Sequence, residues 1–200
     1  FLLNYLAHIF LSGSKSQLQV GNFIGDFVKG SRFNDYPKHI RDGILLHRRI
    51  DEYTDSHPLV KQNVEFLRPE FGRYSGIISD MYFDYFLAAN FNQYAGMSLS
   101  LFAYRFYMSV LVNYRHLPES VKKFIFHFVG TNRLSKYATH EGLQESLQIM
   151  AGHKVPALDP QKIICFLQEN HETLENTFQR FFPDLMAFAA NERAEKINQP

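Results

Sequence analysis

The chain contains no tryptophan, only one cysteine and almost no net charge, and each scarcity removes a class of protein. A lone Cys165, set in the apolar stretch IICFL, rules out a disulfide framework; the thiol reads as a small buried hydrophobe and the setting as a reducing, cytoplasmic one. With a formal charge of +1, the chain does not read as a general nucleic-acid binder, and no nucleic-acid partner is expected. The opening FLLNYLAHIFLS is apolar, but Asn4 and His8 interrupt it, and it has no basic leader or small-residue cleavage site. Neither a signal peptide nor a membrane partner is expected. Because the chain starts at Phe1 and not at Met, a short preceding piece is expected. Also missing are a P-loop, a Rossmann glycine fingerprint, HExxH, a CxxC pair and GxSxG, which removes the commonest nucleotide, zinc-protease, redox and serine-hydrolase signatures.

What is present is a chain of 200 residues that is 46% hydrophobic and 20% charged, with 20 Phe and 11 Tyr. That composition excludes disorder and suffices for one aromatic-rich core, so residues 1–200 are read as a single domain. No convincing strand, repeat or low-complexity tract interrupts the helical periodicity. The expected fold is all-α, a compact multi-helix bundle. Helices are expected over residues 2–12, 18–29, 37–56, 59–68, 77–91, 99–115 and 118–129. A long one is expected over 161–182, with Pro183 ending it before a short last helix. Tyr104, Phe106, Phe124 and Phe128 are placed on buried faces. Periodicity weakens over 131–152, and 156–160 reads as a connecting loop. Gly21 and Gly25, four apart, form a smooth strip for a close helix crossing, and Gly30 is expected to cap that helix.

The densest chemistry lies in LHRRIDEYTDSHP, residues 46–58. On a helix His47, Asp51 and Asp55 stack on one face that could hold a metal, while Arg48 and Arg49 turn away from it. The ordinary reading of such a cluster is a solvated, ion-paired face, so the rest of the chain must decide. The apolar helix 77–91 carries Asp80 and Asp84 four residues apart. Two stacked carboxylates there need a cation, a proton or an arginine between them, although Asp80 could instead cap its helix or pair with Arg73. His8 and Asp26 complete a set of imidazole and carboxylate donors from at least four elements. His116, His127, His140, His153 and His171 are read as surface or satisfied histidines. The donor set suits Mn²⁺, Mg²⁺ or Fe better than a structural zinc, because thiolates are absent. Such an ion polarises a phosphoryl oxygen and activates water, so metal-assisted phosphoester hydrolysis is the natural chemistry. Residues 1–50 carry seven Lys or Arg against three Asp, so an acidic partner or a phosphate could be steered there.

The stretches NYLAHIFLS, GNFIGDFVKG, GILLHRRIDEYTDSHP and SDMYFDYFLAANF, in that order, resemble the acyl-carrier-protein phosphodiesterase family. The resemblance covers residues 4–91 with specific motifs. It implies removal of the 4′-phosphopantetheine arm from a holo acyl carrier protein, dependence on a divalent metal, typically Mn²⁺, and distant kinship with the all-helical HD phosphohydrolases. Carried over by position, it points to His8, Asp26, His47, Asp51, Asp80 and Asp84 as the functional set; of these, His8, His47, Asp51 and Asp84 are assigned as ligands, and Asp26 and Asp80 as groups that support the ligands or act as acid and base. Lys29, Arg48 and Arg49 are assigned to the phosphate or to the acidic carrier surface. The adjacent His-Asp dyad of the HD group is absent, since His47 and Asp51 are one helical turn apart. Two rivals remain: a similar hydrolase acting on a nucleotide or other small phosphoester, and a non-catalytic helical protein that binds acidic partners.

Overall fold

The computed structural model describes residues 5–153 and 158–197, and every regular element among them is helical. The expected helix start at Leu2 and the expected loop at Pro156 lie outside the described residues. Helix α1 (Tyr5–Leu11) turns into α2 (Ser16–Phe23), and a 3₁₀ turn over Gly25–Phe27 leads away from it. Then come α3 (Lys38–Ser56) and α4 (Pro58–Phe71), separated by one residue. Pro37 sits at the N-cap of α3 and Pro58 opens α4, positions where the missing N–H costs nothing. His57 between them accepts a hydrogen bond from Leu59 N through Nδ1, so this histidine caps α4.

Helix α5 (Ser75–Ala89) is the axis of the first half, with Ile78, Met81, Tyr82, Phe83, Phe86 and Leu87 all buried. It is followed by α6 (Phe91–Ala95), α7 (Leu99–Val112), α8 (Glu119–Gly130), α9 (Arg133–Lys136), α10 (His140–His153), α11 (Pro160–Glu169) and α12 (His171–Ile197). The buried apolar side chains form one cluster running from Tyr5 to Ala189. Its densest part is aromatic: Phe178 and Phe182 stack at 4.9 Å, and Phe10 meets Phe91 at 5.6 Å and Phe182 at 5.9 Å. Each such buried ring contributes about 1.5–3 kcal/mol from removal of apolar surface alone. No helix among the described residues is long and apolar enough to cross a membrane.

Several expectations need correction. Helix α2 ends at Phe23, well short of residue 29, and Gly30 (φ +59°) lies in the loop beyond the 3₁₀ turn. The close crossing is made by Gly21 with Gly43 of α3. A Cβ on Gly21 would lie 2.1 Å from the Ile40 carbonyl oxygen, and one on Gly43 would lie 2.3 Å from that of Leu18. Tyr104 is 62% exposed, because α7 turns it outward while Phe106 is fully buried. The weak pattern over 131–152 conceals α9 and α10, and the long C-terminal helix breaks at Asn170 while Pro183 lies inside α12. Proline within a helix costs about 3 kcal/mol. Here Phe181, Phe182 and Leu185 are buried on either side of Pro183, and that burial outweighs the lost backbone bond.

Candidate metal centre

Four elements bring His8 (α1), Asn22 (α2), Asp26 (the 3₁₀ turn) and His47 with Asp51 (α3) to one point. The two imidazoles stack with ring centroids 4.1 Å apart and planes inclined by 29°. At one edge, His8 Nδ1 and His47 Nδ1 lie 2.9 and 3.2 Å from the same atom, Asn22 Oδ1. At the other edge the Asp51 carboxylate spans the pair, with Oδ1 3.2 Å from His8 Nε2 and Oδ2 3.3 Å from His47 Nε2. Asp26 approaches His47 Nε2 at 3.5 Å. The helical spacing of His47 and Asp51 makes the second contact possible. Only the packing of α1, α2, the 3₁₀ turn and α3 on one another makes the rest. Gly25 supplies the room, since a Cβ there would stand 2.3 Å from His47 Cγ.

The arrangement suits a cation. His8, His47 and Asp51 each offer a ligand atom, all within 4.8 Å of one another. His47 Nε2 is buried and makes no aligned hydrogen bond, despite two carboxylates nearby. A buried polar atom left so is costly unless something else binds it. Mixed imidazole and carboxylate donors fit a divalent ion of the Mn²⁺ or Mg²⁺ kind, and a further carboxylate stands beside them in Asp26.

The electrostatics are those of a tightly coupled site. Two imidazolium ions cannot stack at this distance without strong repulsion, so the pair is built for one positive charge at most. Burial opposes protonation of His8, but the contact with Asp51 and the charges of Asp51, Asp84 and Asp26 push its pKa up. Burial and the neighbouring His8 push His47 down. Burial alone would raise Asp26, yet the contact with His47 and the positive charge around it bring its carboxyl down to about 2.

Asp80, Asp84 and Asp55 face a cavity of about 90 Å³ that also takes in His8, Asp51 and Thr54. Its other wall is apolar, formed by Ile50, Phe83, Phe181, Phe182 and Leu185. Both oxygens of Asp84 are occupied: Oδ2 accepts from Leu6 N at 3.0 Å and Oδ1 from Ala7 N at 2.8 Å. Asp84 therefore caps the first turn of α1 from 78 residues away in the chain, and so holds His8 in place. Burial pushes its carboxyl up to about 7, against those two hydrogen bonds and the charge of His8. Burial, then Asp51 and Asp55, hold Asp80 well above the usual carboxylate range. Arg73 takes no part here; its guanidinium lies over the Tyr74 ring.

The basic residues occupy the periphery. Arg48 donates to the carbonyls of Val28 and Gly30 at 2.9 and 2.8 Å and so ties down the loop that carries the exposed Lys29. Arg49 pairs with Glu52 at 2.7 Å and with Glu192 of α12 at 3.1 Å. Sequence reading overlooked Asn22 and Ser12, both fully buried, and the part of Gly25 and Gly43. The one available signal was an amide standing between two glycines in the otherwise apolar run VGNFIG.

Comparison with known proteins supplies the family. A family profile described as acyl carrier protein phosphodiesterase matches residues 3–185. Proteins named acyl carrier protein phosphodiesterase from Enterobacter sp. (strain 638) and Klebsiella pneumoniae (strain 342) are each 33% identical, over 96% of this chain and 100% of theirs. One from Yersinia pestis is 28% identical over the same shares. No solved structure matches the chain. Profile and relatives span nearly its whole length, and the chain belongs to the acyl carrier protein phosphodiesterase family.

Proposed function

We propose that this protein is a metal-dependent phosphodiesterase that removes the 4′-phosphopantetheine arm from a holo acyl carrier protein. The observation that carries the reading is the convergence of two imidazole Nε2 atoms on the Asp51 carboxylate, one of them buried and lacking a hydrogen bond, in a chain of this family. Of the four assigned ligands, His8, His47 and Asp51 would hold the ion, while Asp84 would stay with the α1 amides that occupy both its oxygens; Mn²⁺ comes first, with Mg²⁺ or Fe also suited to the donors. When bound, it would supply positive charge to a phosphoryl oxygen and lower the pKa of a nearby water.

The protein's own groups then divide the proton work. Water attacks phosphorus, the bond from phosphorus to the carrier serine oxygen breaks, and the products are apo carrier and free 4′-phosphopantetheine. Asp26, beside His47 and ionised at neutral pH, would accept the water proton. Asp80 faces the cavity with a raised pKa and suits the opposite task, donating a proton to the serine oxygen as it leaves. Asp84 holds α1 and its histidine in position. The apolar wall formed by Phe83, Phe181 and Phe182 limits water around the reacting atoms.

Lys29, on the loop tied by Arg48, is assigned to the phosphate, and Arg49 to the acidic surface of the carrier. The ion pair of Arg49 with Glu52 is exposed and so exchanges easily. The enzyme is read as one domain over residues 1–200 working in the cytoplasm; the single apolar cluster supports the first part.

Mass spectrometry tests the proposal: holo carrier protein incubated with the protein and Mn²⁺ loses the phosphopantetheine mass, and a chelator stops the loss. Failure with every divalent metal tried would remove the carrier-protein assignment. Faster cleavage of a generic chromogenic phosphodiester than of holo carrier would move the substrate to small phosphoesters.

A further inference from the structure

We infer that Asn22 is the positioning residue of the metal centre, its single carboxamide oxygen fixing the same tautomer in both histidines so that both Nε2 lone pairs face Asp51. The placement rests on the reading of His8 and His47 as ligands, but the proton inventory behind it does not.

That inventory starts at Ser12. Its Oγ donates to the His8 carbonyl oxygen at 2.9 Å, which commits the only hydroxyl proton. The oxygen can then only accept from its second neighbour, Asn22 Nδ2, also at 2.9 Å. The amide group of Asn22 is thereby oriented, with nitrogen toward Ser12 and oxygen toward the imidazoles. A carboxamide oxygen has two lone pairs and no proton, and two ring nitrogens stand within hydrogen-bond distance of it. Both must donate, so His8 and His47 each carry a proton on Nδ1. In the neutral rings Nε2 is then a bare lone pair on both.

Two lone pairs facing a carboxylate repel it, and the arrangement is favourable only with a positive charge between them. Asn22 is fully buried, as are Ser12 and nearly all of His8 and His47, so water does not compete for these bonds. A single buried oxygen also explains the stacking of the rings. Both are hung from one acceptor at one edge and spanned by one carboxylate at the other. Partners that set the orientation of a metal-binding imidazole typically change affinity by about 10–100-fold when removed.

The test combines side-chain ¹⁵N NMR of the histidines, at a pH where the rings are neutral, with calorimetric titration of Mn²⁺. In the wild-type protein both rings are expected in the Nδ1–H form. Asn22→Leu keeps the branched outline but offers no acceptor; its rings are expected to populate the Nε2–H form, and Mn²⁺ affinity to drop about 10–100-fold. Asn22→Asp keeps an acceptor and is expected to retain the Nδ1–H form. Ser12→Ala leaves the oxygen in place, frees the amide to turn over, and is expected to give a smaller loss than Asn22→Leu; it also serves if Asn22→Leu does not fold. An Nε2–H tautomer in either wild-type ring overturns the inference, and so do wild-type tautomers and affinity in Asn22→Leu. If the wild type binds no Mn²⁺ but shows Nδ1–H in both rings, and Asn22→Leu loses it, the tautomer control stands and the metal reading falls.

Discussion

Residues 5–91 and residues 99–197 are both helical and both bury aromatic rings, but they spend buried polarity differently. Among the described residues, nine of the twelve buried polar or charged side chains precede residue 91, and His8, Ser12, Asn22, His47 and Asp84 are linked around one centre. In the second part the buried polar side chains serve shape. Arg133 donates to Ser146 at 2.8 Å and lies 3.3 Å from Glu145, which joins α9 to α10. Around the candidate centre Gly21, Gly25 and Gly43 each make room for backbone or for a side chain, whereas Gly30, Gly72, Gly76 and, in the second part, Gly130 have nothing within 4 Å of where a Cβ would stand; Gly142, close to the Lys136 carbonyl, is the tight one in the second part. A site can be assembled on this frame because the first part is held by close backbone crossings, which fix side-chain positions better than interdigitating flexible chains.

Breaking the centre is expected to have the largest effect. Asp51→Asn removes the charge that spans both histidines, and we expect Mn²⁺ retention to disappear and hydrolysis of holo carrier to fall by about 10³-fold, with circular dichroism unchanged. Metal analysis of the purified variant beside the wild type checks it. Second in size is the crossing. Gly43→Ala is expected to cost about 3 kcal/mol, read as a drop in the urea midpoint, because the new methyl would meet backbone atoms of α2. Gly130→Ala, by contrast, is expected to raise stability by about 0.5 kcal/mol.

Protons and metal should compete at the centre. Because the pKa of His8 is raised, its proton is present below that value and lost above it, so Mn²⁺ affinity is expected to weaken as pH falls through it, by about tenfold per pH unit for one proton displaced. Calorimetry between about pH 8 and pH 6 shows the slope, and a flat profile would contradict His8 as a ligand. Glu145→Ala should cost about 1 kcal/mol of stability while leaving Mn²⁺ content untouched, which separates the two uses of buried polarity. The smallest effect is expected at Tyr104→Lys, within about 0.5 kcal/mol by thermal melting, since that ring is mostly in solvent.

Sequence alone determined the helical class, the boundaries at Pro37 and Pro58, and the His47 to Asp51 spacing, because each depends on neighbours within a turn or two of the same chain segment. His8, Asp26, Asp80 and Asp84 were also legible as polar intrusions into apolar helices, where burial demands a partner. Which partner was not legible. Asp84 reaches back 78 residues to cap α1, and Asn22 lies 14 residues from one histidine and 25 from the other. Pro183 stays inside α12, and Gly43 replaces Gly25 at the crossing, for the same reason. Periodicity reports which face of a helix is buried; only the packing of one helix on another decides what that face meets, and the proton inventory that orients this centre exists only once those faces have met.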